Sequence, residues 1–427
     1  MAGFWDSLAQ ALEHPTFLTK SSSSHPVGPP PPLQAQYPTP AAPSTKIRLT
    51  LLSTALVDAL GGPAEFHKRF SFPLITSMIP NKTFYLPPGV WTDDTSMTLC
   101  LARSLATYTP RTTNQGIVPV SGGFDEKHQL EAYINWQGRG VRSATGECFD
   151  IGNTIQRALR IYAQCSLPDS PHTPDQGLEQ ICMALCGESC AGNGSLMRVV
   201  PVGLSYWRNA NRAMEYARRS SKTTHPNGMC IEACEVWTGA IVQIMQETSG
   251  TRQGMKRFSK LDLLAYFSSF IYTNAKLRDA LAVPSDAPPP PTTDPELEEY
   301  YRVYHPLLHL ISETQPQTPQ SINPTIPPAQ ALPSTGYVLH TLTAALYCFL
   351  ATQTFEEGAI MAVNLGDDAD TVGAVYAGLA GCWYANDGTG DDGFWSPRVR
   401  EWRKNLVRRD LVEAVADELV RFSEGLA

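Results

Sequence analysis

Two short acidic clusters constrain this chain more than any other feature of its sequence. The first is Thr92-Asp93-Asp94-Thr95, and the second is Asp368-Ala369-Asp370-Thr371. Apolar residues recur every four positions from Met97 to Leu105, which predicts a helix that begins near Thr92. Glycine and alanine dominate from Gly373 to Gly381, which predicts a second helix packed closely against its neighbours. Both predicted helices therefore begin with carboxylates.

Carboxylates at a helix start can be simple capping groups, because the helix dipole favours negative charge there by about 0.3–1 kcal/mol. Capping does not explain the density of oxygen donors, since four carboxylates that converge repel one another unless a cation lies between them. Ligand sets made only of oxygen suit Mg²⁺, Ca²⁺ or Mn²⁺ rather than zinc. The clusters therefore predict either two separately capped helices or, if they meet within one domain, a two-metal site.

The composition fits a large globular protein and argues against nucleic-acid binding. The chain has 427 residues, of which 42% are hydrophobic, and its formal net charge is −8. That apolar content is enough for one large core, although the length alone allows two or three domains. A nucleic-acid backbone requires clustered lysine and arginine, so we expect no nucleic-acid partner, whereas a small phosphorylated ligand fits. The oligomeric state stays open.

The ten cysteines indicate a reducing compartment. Cys182, Cys186 and Cys190 are spaced four apart, as are Cys230 and Cys234, and no C-x-x-C pairs have zinc-finger spacing. We therefore expect small core residues rather than disulfides or metal ligands. The chain start lacks the features of a secretory signal, and no run approaches the roughly 20 apolar residues that span a bilayer. The prediction is a soluble intracellular protein, cytoplasmic or nuclear, without a membrane partner.

The chain divides into an N-terminal extension and one large body. Residues 1–45 begin with a short amphipathic stretch, predicted to dock as a helix on the body or on a partner, and continue as a Ser/Pro-rich linker over 21–45. The predicted body spans 46–427. A second Pro-rich stretch, at about 284–335, is interpreted as an insertion that carries a short helix.

Helical periodicity dominates the body, and alternating β patterns are scarce. The fold class is therefore predicted as all-α, without internal repeats. Near the C-terminus, charged and apolar residues interleave over 396–426, which predicts one or two amphipathic helices. The other segments with helical spacing are 47–59, 152–164, 178–190, 229–247, 259–272, 337–352 and 355–364.

Six short motifs follow one another along the body. They are Asp58-Ala59-Leu60-Gly61 leading to Glu65, Trp91-Thr92-Asp93-Asp94-Thr95, Phe149-Asp150-Ile151-Gly152-Asn153-Thr154, Gly192-Asn193-Gly194-Ser195-Leu196-Met197-Arg198, Thr224-His225-Pro226 and Gly366-Asp367-Asp368-Ala369-Asp370-Thr371. In this order they resemble the ADP-ribosylglycohydrolases, a family that includes the dinitrogenase-reductase-activating glycohydrolases and the ADP-ribosylarginine and ADP-ribosylserine hydrolases. The likeness covers most of residues 46–425.

The resemblance implies a compact single-domain helical fold with two Mg²⁺ or Mn²⁺ ions at its centre. It also implies catalytic roles for Glu65, Asp93 and Asp94, with Glu65 acting as a base or as a gate on the metal site. Without the resemblance, Glu65 is more simply an exposed acid after the Gly61-Gly62-Pro63 turn. The residues that match the family's metal ligands are Thr92, Asp93, Asp94, Asp368, Asp370 and Thr371.

A glycine-rich loop and one histidine are the candidate substrate contacts. The loop Gly192-Asn193-Gly194-Ser195 could present backbone N–H groups to a pyrophosphate, although on its residues alone a plain loop is the simpler explanation. His225 precedes a proline, where a single histidine is more often structural. The resemblance favours substrate contact for the loop and for His225.

Three positions depart from the family pattern. Val57 stands where many members have glycine, Ser96 where a longer Gln or Glu is common, and Asn227 where an acidic residue or histidine often follows the Thr-His-Pro motif. The first difference bears on the close packing of the first helix. The other two bear on the surroundings of the site and on the preferred leaving group.

The expected activity is hydrolysis at the anomeric carbon of the distal ribose, which releases ADP-ribose from a modified protein or a small conjugate. Glycosidic cleavage passes through an oxocarbenium-like state that carboxylates stabilise. Two alternatives stay open: a non-catalytic relative that binds ADP-ribose or has a structural role, and a two-metal phosphohydrolase. The sequence does not distinguish the linkage cleaved, mono- from poly-ADP-ribose, or Mg²⁺ from Mn²⁺.

Overall fold

The protein is built almost entirely from α-helices. The structure, a computed structural model, describes residues 3–6, 31–109, 122–249, 256–314, 326–386, 388 and 393–426. Within these ranges the β pairing is limited to two isolated bridges, so the predicted all-α class is confirmed. The helices are α1 (Pro43–Gly61), α2 (Asp93–Thr107), α3 (Glu126–Arg139), α4 (Asn153–Cys165), α5 (Pro174–Leu185), α6 (Val200–Tyr206), α7 (Ala210–Lys222), α8 (Gly228–Thr248), α9 (Lys260–Ser269), α10 (Ala275–Leu281), α11 (Asp294–Tyr304), α12 (Pro306–Thr314), α13 (Val338–Ala351), α14 (Phe355–Val363), α15 (Ala369–Tyr384), α16 (Pro397–Asn405) and α17 (Arg409–Gly425).

Helices α1 and α15 form the centre of the fold and pack antiparallel at very short range. Every residue of α15 is buried, as expected for a helix that is apolar on all sides. A Cβ atom added at Gly61 would lie 2.5 Å from Asp370 Cα, and one added at Gly373 would lie 2.9 Å from Val57 Cγ1. Val57 is therefore accommodated because the facing residue on α15 is glycine. The end of α1 and the start of α15 lie side by side.

The remaining helices cover this central pair. Helix α17 packs against α1 and α2, and α8 packs against α7 and α15. At the opposite end from the acidic residues, the buried Lys46 ammonium donates to Trp383 O on α15 (3.1 Å). A cation there satisfies a carbonyl group that the helix itself leaves unpaired. None of the helices in the described ranges is both long enough and apolar enough to cross a membrane.

Most predicted helices are present close to their predicted positions. Helices α4, α8, α13 and α14 match within one residue at each end. The helix predicted over 178–190 is instead α5, which begins at Pro174 after a capping box made by Thr173 and Gln176 and ends at Leu185. Helix α9 ends at Ser269, three residues before the predicted end. Helices α3, α6, α7 and α10 were not predicted.

The N-terminal extension contacts the body wherever it is described. Trp5 Nε1 donates to Asp417 Oδ2 on α17 (3.1 Å), so the start of the chain lies on the body. Thr39 N–H donates to the Trp383 carbonyl at the end of α15 (2.9 Å). The rest of the predicted amphipathic stretch, and residues 21–30 of the predicted linker, lie outside the described residues.

The Pro-rich insertion contains two helices, α11 and α12, where one short helix was predicted. The Glu298 carboxylate on α11 accepts from the backbone N–H groups of Leu33 (3.0 Å) and Gln34 (3.1 Å) and from Arg302 (2.7 Å). Glu298 is buried, and these donors balance its charge. The insertion and the N-terminal extension therefore pack on each other.

Candidate active site

The two acidic segments of the sequence meet where α1 ends and α15 begins. Carboxylate oxygens of Asp58, Asp94 and Asp370 lie within 4.8 Å of one another, and so do those of Glu65, Asp368 and Asp370. Asp370 belongs to both groups. With two neighbouring aspartates they form a set that we name the acid cluster: Asp58, Glu65, Asp93, Asp94, Asp150, Asp368 and Asp370.

Asp58 fixes the start of α2 from the side of α1. Its carboxylate accepts from the backbone N–H of Thr92 (2.9 Å) and of Thr95 (3.0 Å), and from the Thr95 hydroxyl (2.6 Å). It thus caps α2 in the manner of an N-cap residue, although it lies on another helix. Burial raises the pKa of Asp58 to about 6, and the bonds from Thr95 and Thr92 limit the rise.

Three buried carboxylate oxygens of the acid cluster lack a hydrogen-bond partner among the described residues. They are Glu65 Oε2, Asp94 Oδ1 and Asp370 Oδ1. The other oxygen of Asp94 lies 3.2 Å from both the Thr92 and the Thr371 hydroxyl groups. A buried polar atom without a partner is costly, and a divalent cation accepts bonds from such oxygens. The oxygen-only donor set therefore fits a cation such as Mg²⁺ or Mn²⁺.

Electrostatic repulsion within the acid cluster supports the same conclusion. Burial first, and the neighbouring carboxylates second, hold the pKa values of Asp93, Asp94 and Asp370 well above the ordinary value. For Asp93 the largest neighbouring influence is Asp150, and for Asp94 it is Asp370. Without a cation, these groups are driven toward their neutral forms.

Glu65 and Asp150 form a second carboxyl pair at the cluster. Burial, followed by the charge of Asp150, raises the pKa of Glu65 to about 11. Burial and Asp368 raise the pKa of Asp150 to about 7, while a hydrogen bond with Glu65 lowers it. Without a cation, Asp150 therefore opposes the ionisation of Glu65. Asp150 has φ of 61°, a left-handed conformation that is uncommon outside glycine and often found at functional sites.

Asn193 connects the glycine-rich loop to the acid cluster. Its side-chain amide donates to Asp368 Oδ2 (2.7 Å) and to the Thr341 hydroxyl (2.8 Å), and so orients the carboxylate. Its backbone N–H donates to Gly336 O (3.0 Å), so this N–H is already bonded within the protein. Ser195 lies deeper, where it accepts from the Ser221 hydroxyl (2.9 Å).

His225 lies behind the glycine-rich loop and is neutral. The Thr224 hydroxyl accepts from Arg198 Nη2 (2.6 Å) and lies 2.9 Å from His225 Nδ1. A Cβ atom added at Gly194 would lie 2.8 Å from His225 Cε1. Burial, and then the Arg198 charge, lower the pKa of His225 to about 3.

The buried imidazole should make stability depend on pH. Because the pKa of His225 is about 3 when folded and 6.5 ordinarily, the unfolded chain takes up a proton first as the pH falls. The contribution of His225 to stability should therefore decrease below pH 6.5, by up to about 1.4 kcal/mol per pH unit. Urea unfolding between pH 7.5 and 4.5 should give a shallower dependence for His225→Gln, with His309→Gln as the control at an exposed histidine. Parallel slopes for wild type and His225→Gln would contradict the assignment.

Comparison with known proteins decides the family. A family model described as ADP-ribosylglycohydrolase matches residues 39–425. The chain belongs to the ADP-ribosylglycohydrolase family. The predicted resemblance is therefore confirmed.

Individual ADP-ribosylglycohydrolases show the same relationship. The chain is 25% identical over 374 residues to the ADP-ribosylarginine hydrolase Tri1 of Serratia proteamaculans (strain 568), covering 88% of this chain and 78% of that protein. It is 25% identical over 341 residues to the ADP-ribosyl-[dinitrogen reductase] glycohydrolase of Rhodospirillum rubrum, covering 79% and 84%. A solved ADP-ribosylglycohydrolase-related protein complex contains a chain with a TM-score of 0.54 and 29% identity, covering 89% of this chain and 99% of that one.

Two acids of this ADP-ribosylglycohydrolase were recognised in the sequence as parts of motifs but were not assigned to the site. Asp58 bonds to Thr92 and Thr95, which are 34 and 37 positions away, so no local spacing reveals its role. Asp150 precedes Ile-Gly-Asn at the start of α4. An acid next to a predicted helix start was the sequence feature that could have assigned Asp150 to the site. The divergent residue Asn227 is the N-cap of α8 and donates to Cys186 O (3.0 Å).

Proposed function

We propose that this ADP-ribosylglycohydrolase releases ADP-ribose from modified arginine side chains of proteins, with two Mg²⁺ ions as cofactors. The observation that carries the proposal is the pair of carboxylate groups that share Asp370, together with three buried oxygens that lack partners among the described residues. Arginine is preferred because the Tri1 relatives of Serratia proteamaculans and Pseudomonas putida (strain GB-1) are named ADP-ribosylarginine hydrolases. Free cysteines at all ten positions support a reducing, intracellular location.

The proposed metal ligands include Asp94 and Asp370, each of which has a buried oxygen without a hydrogen-bond partner among the described residues. When bound, divalent cations would orient the ribose hydroxyl groups and lower the pKa of a water molecule. Asp58 is already bonded to Thr92 and Thr95, so we assign it to positioning α2. The residues that would hold the ions are Thr92, Asp93, Asp94, Asp368, Asp370 and Thr371, with Glu65 beside them.

The chain's own carboxyl groups have a direct role in glycosidic cleavage. Positive charge develops on the ribose as the bond breaks, and nearby carboxylates stabilise it. Glu65 and Asp150 are neighbouring carboxyl groups at the cluster, which suits the exchange of a proton with the water or with the leaving group. Asn193 holds the Asp368 carboxylate, so that it keeps its orientation when substrate binds.

The test is the release of free ADP-ribose from proteins modified on arginine or on serine, measured by chromatography with and without EDTA. We expect release from the arginine conjugate in Mg²⁺ or Mn²⁺ and none in EDTA. ADP-ribose binding without release from any conjugate would instead indicate a non-catalytic binding protein. AMP together with ribose phosphate as products would indicate a phosphohydrolase.

A further inference from the structure

The connection between α1 and α2, residues 66–91, borders the acid cluster and is fixed to it. Phe66 follows Glu65 directly, and its N–H donates to Asp367 O (2.6 Å), while Asp367 N–H donates to His67 O (2.8 Å). The Arg69 guanidinium donates to Leu365 O (2.7 Å) and to other groups nearby. We name residues 66–91 the docking loop. Its start is held against the segment that carries Asp368.

The docking loop exposes large apolar side chains. Phe66 is 65% exposed, Phe70 68% and Tyr85 93%, and Leu74 and Ile79 are also exposed. Several large apolar side chains exposed within one short segment are a feature of interaction surfaces. Aromatic residues are also the side chains most enriched where protein interfaces derive their affinity.

The backbone holds these aromatic side chains outward at unfavourable angles. Phe66 has φ of 62°, Phe70 of 64° and Tyr85 of 57°. The left-handed region is strained for bulky side chains, and such strain clusters at ligand-contacting sites. Three exposed aromatic residues in this conformation within one loop are therefore not explained by folding alone.

The charge of the docking loop is opposite to that of the protein as a whole. The loop contains Lys68, Arg69 and Lys82 and no aspartate or glutamate, whereas the chain carries a formal charge of −8. Lys68 and Lys82 are exposed. An apolar surface with positive charges complements an apolar surface with negative ones.

The aromatic surface continues along the edge of the acid cluster. The Phe66 and Phe84 rings are 6.2 Å apart between centroids, and the Phe84 and Phe149 rings are 5.6 Å apart. Phe149 immediately precedes Asp150. The aromatic groups therefore extend from the neighbour of Glu65 to the neighbour of Asp150.

We propose that the docking loop binds the protein that carries the modification, through an apolar and acidic face next to the modified residue. The inference rests on the proposed function, since it names what the same site receives. A single nucleotide base covers one ring, whereas five exposed apolar side chains and two lysines extend over a surface of protein-interface character. A small conjugate needs none of these contacts.

The test compares a protein and a small substrate with the full chain. The protein probe is actin carrying ADP-ribose on arginine, an acidic protein, and the small probe is ADP-ribosylated agmatine. For the double variant Phe70→Ser and Tyr85→Ser we expect KM for modified actin to rise at least about 10-fold with kcat unchanged, while kcat/KM for the agmatine conjugate stays within about twofold. Ile271→Ser is the control, since Ile271 is 89% exposed outside the docking loop.

Charge reversal gives an independent measurement. Lys68→Glu with Lys82→Glu should weaken the salt dependence of kcat/KM for modified actin, whereas Lys404→Glu on α16 should not. Equal losses on both substrates would show that the loop binds the nucleotide, and an unchanged KM for actin would show that it binds nothing; either result overturns the proposal. If wild type cleaves neither probe, the proposed function fails, and the docking proposal is judged by whether modified actin binds wild type more tightly than the double variant in fluorescence anisotropy.

Discussion

Asp370→Asn should reduce ADP-ribose release by at least about 100-fold, because Asp370 contributes to both groups of converging carboxylates. Loss of a residue that merely supports a metal ligand already costs about 10–100-fold. The carboxamide keeps the size of the side chain but removes its negative charge, so the affinity for a divalent cation falls. Initial rates measured over a range of Mg²⁺ concentrations should show this loss even when Mg²⁺ is raised.

The same substitution should leave the fold intact, which separates a metal defect from unfolding. In the metal-free protein, burial, Glu65 and Asp368 oppose ionisation of Asp370, so the variant's Tm should equal or exceed that of wild type. At 100 times Kd a bound ion stabilises a protein by about 2.7 kcal/mol, and only wild type should gain this on addition of Mg²⁺. Asp410→Asn, at an exposed helix start, is the matched control. Wild-type turnover and stabilisation in Asp370→Asn would refute the metal assignment.

Gly61→Ala should impair catalysis as well as stability. The added methyl group would meet Asp370 Cα at 2.5 Å and Asp370 N at 2.7 Å, and backbone atoms of a buried helix cannot rotate away. We expect α1 to move relative to α15 at a cost of about 1–3 kcal/mol, reduced by the higher helix propensity of alanine. Because Asp58 moves with α1, and a displacement of about 1 Å can cost about 100-fold in rate, kcat should fall by about 10–100-fold.

Gly378→Ala on the same helix is the matched control for that prediction. Its added Cβ would meet Val200 Cγ2 at 2.5 Å, which is a side-chain atom rather than the backbone of a facing helix. Gly378 is also two helical turns from Asp370. Urea unfolding and kinetics of both variants should therefore give comparable stability losses, with reduced kcat only for Gly61→Ala. Equal kcat values would show that the spacing of α1 and α15 does not control the site.

The sequence indicated those acids of the site that lie at the start of a helix. It did not indicate hydrogen bonds between residues of distant elements. The segments containing Asp94 and Asp370 gave a local signal, since acidic residues and helical periodicity are adjacent in the chain. Asp58 gave none, because it lies within α1 and its partners begin 34 positions later. The same holds for Asn193, whose contact with Asp368 spans 175 positions.

Three of the four missed helices are either short or bury a face of small side chains. The buried face of α7 consists of Ala213, Ala217, Ser220 and Ser221, which bury little apolar area and resemble a polar loop in sequence. Helices α6 and α10 have seven residues each, too short for a repeating pattern. By contrast, α8 and α13 have long apolar runs, and their ends were predicted within one residue.

The buried Glu298 carboxylate makes the two proline-rich parts of the chain interdependent. Shortening the insertion so that Glu298 is lost would leave the amides of Leu33 and Gln34 without their acceptors. Deleting the residues before α1 would leave a buried negative charge with Arg302 as its remaining donor among the described residues. Evolutionary gain or loss of one segment should thus accompany change in the other, and anyone trimming the protein for crystallisation should keep or remove both together.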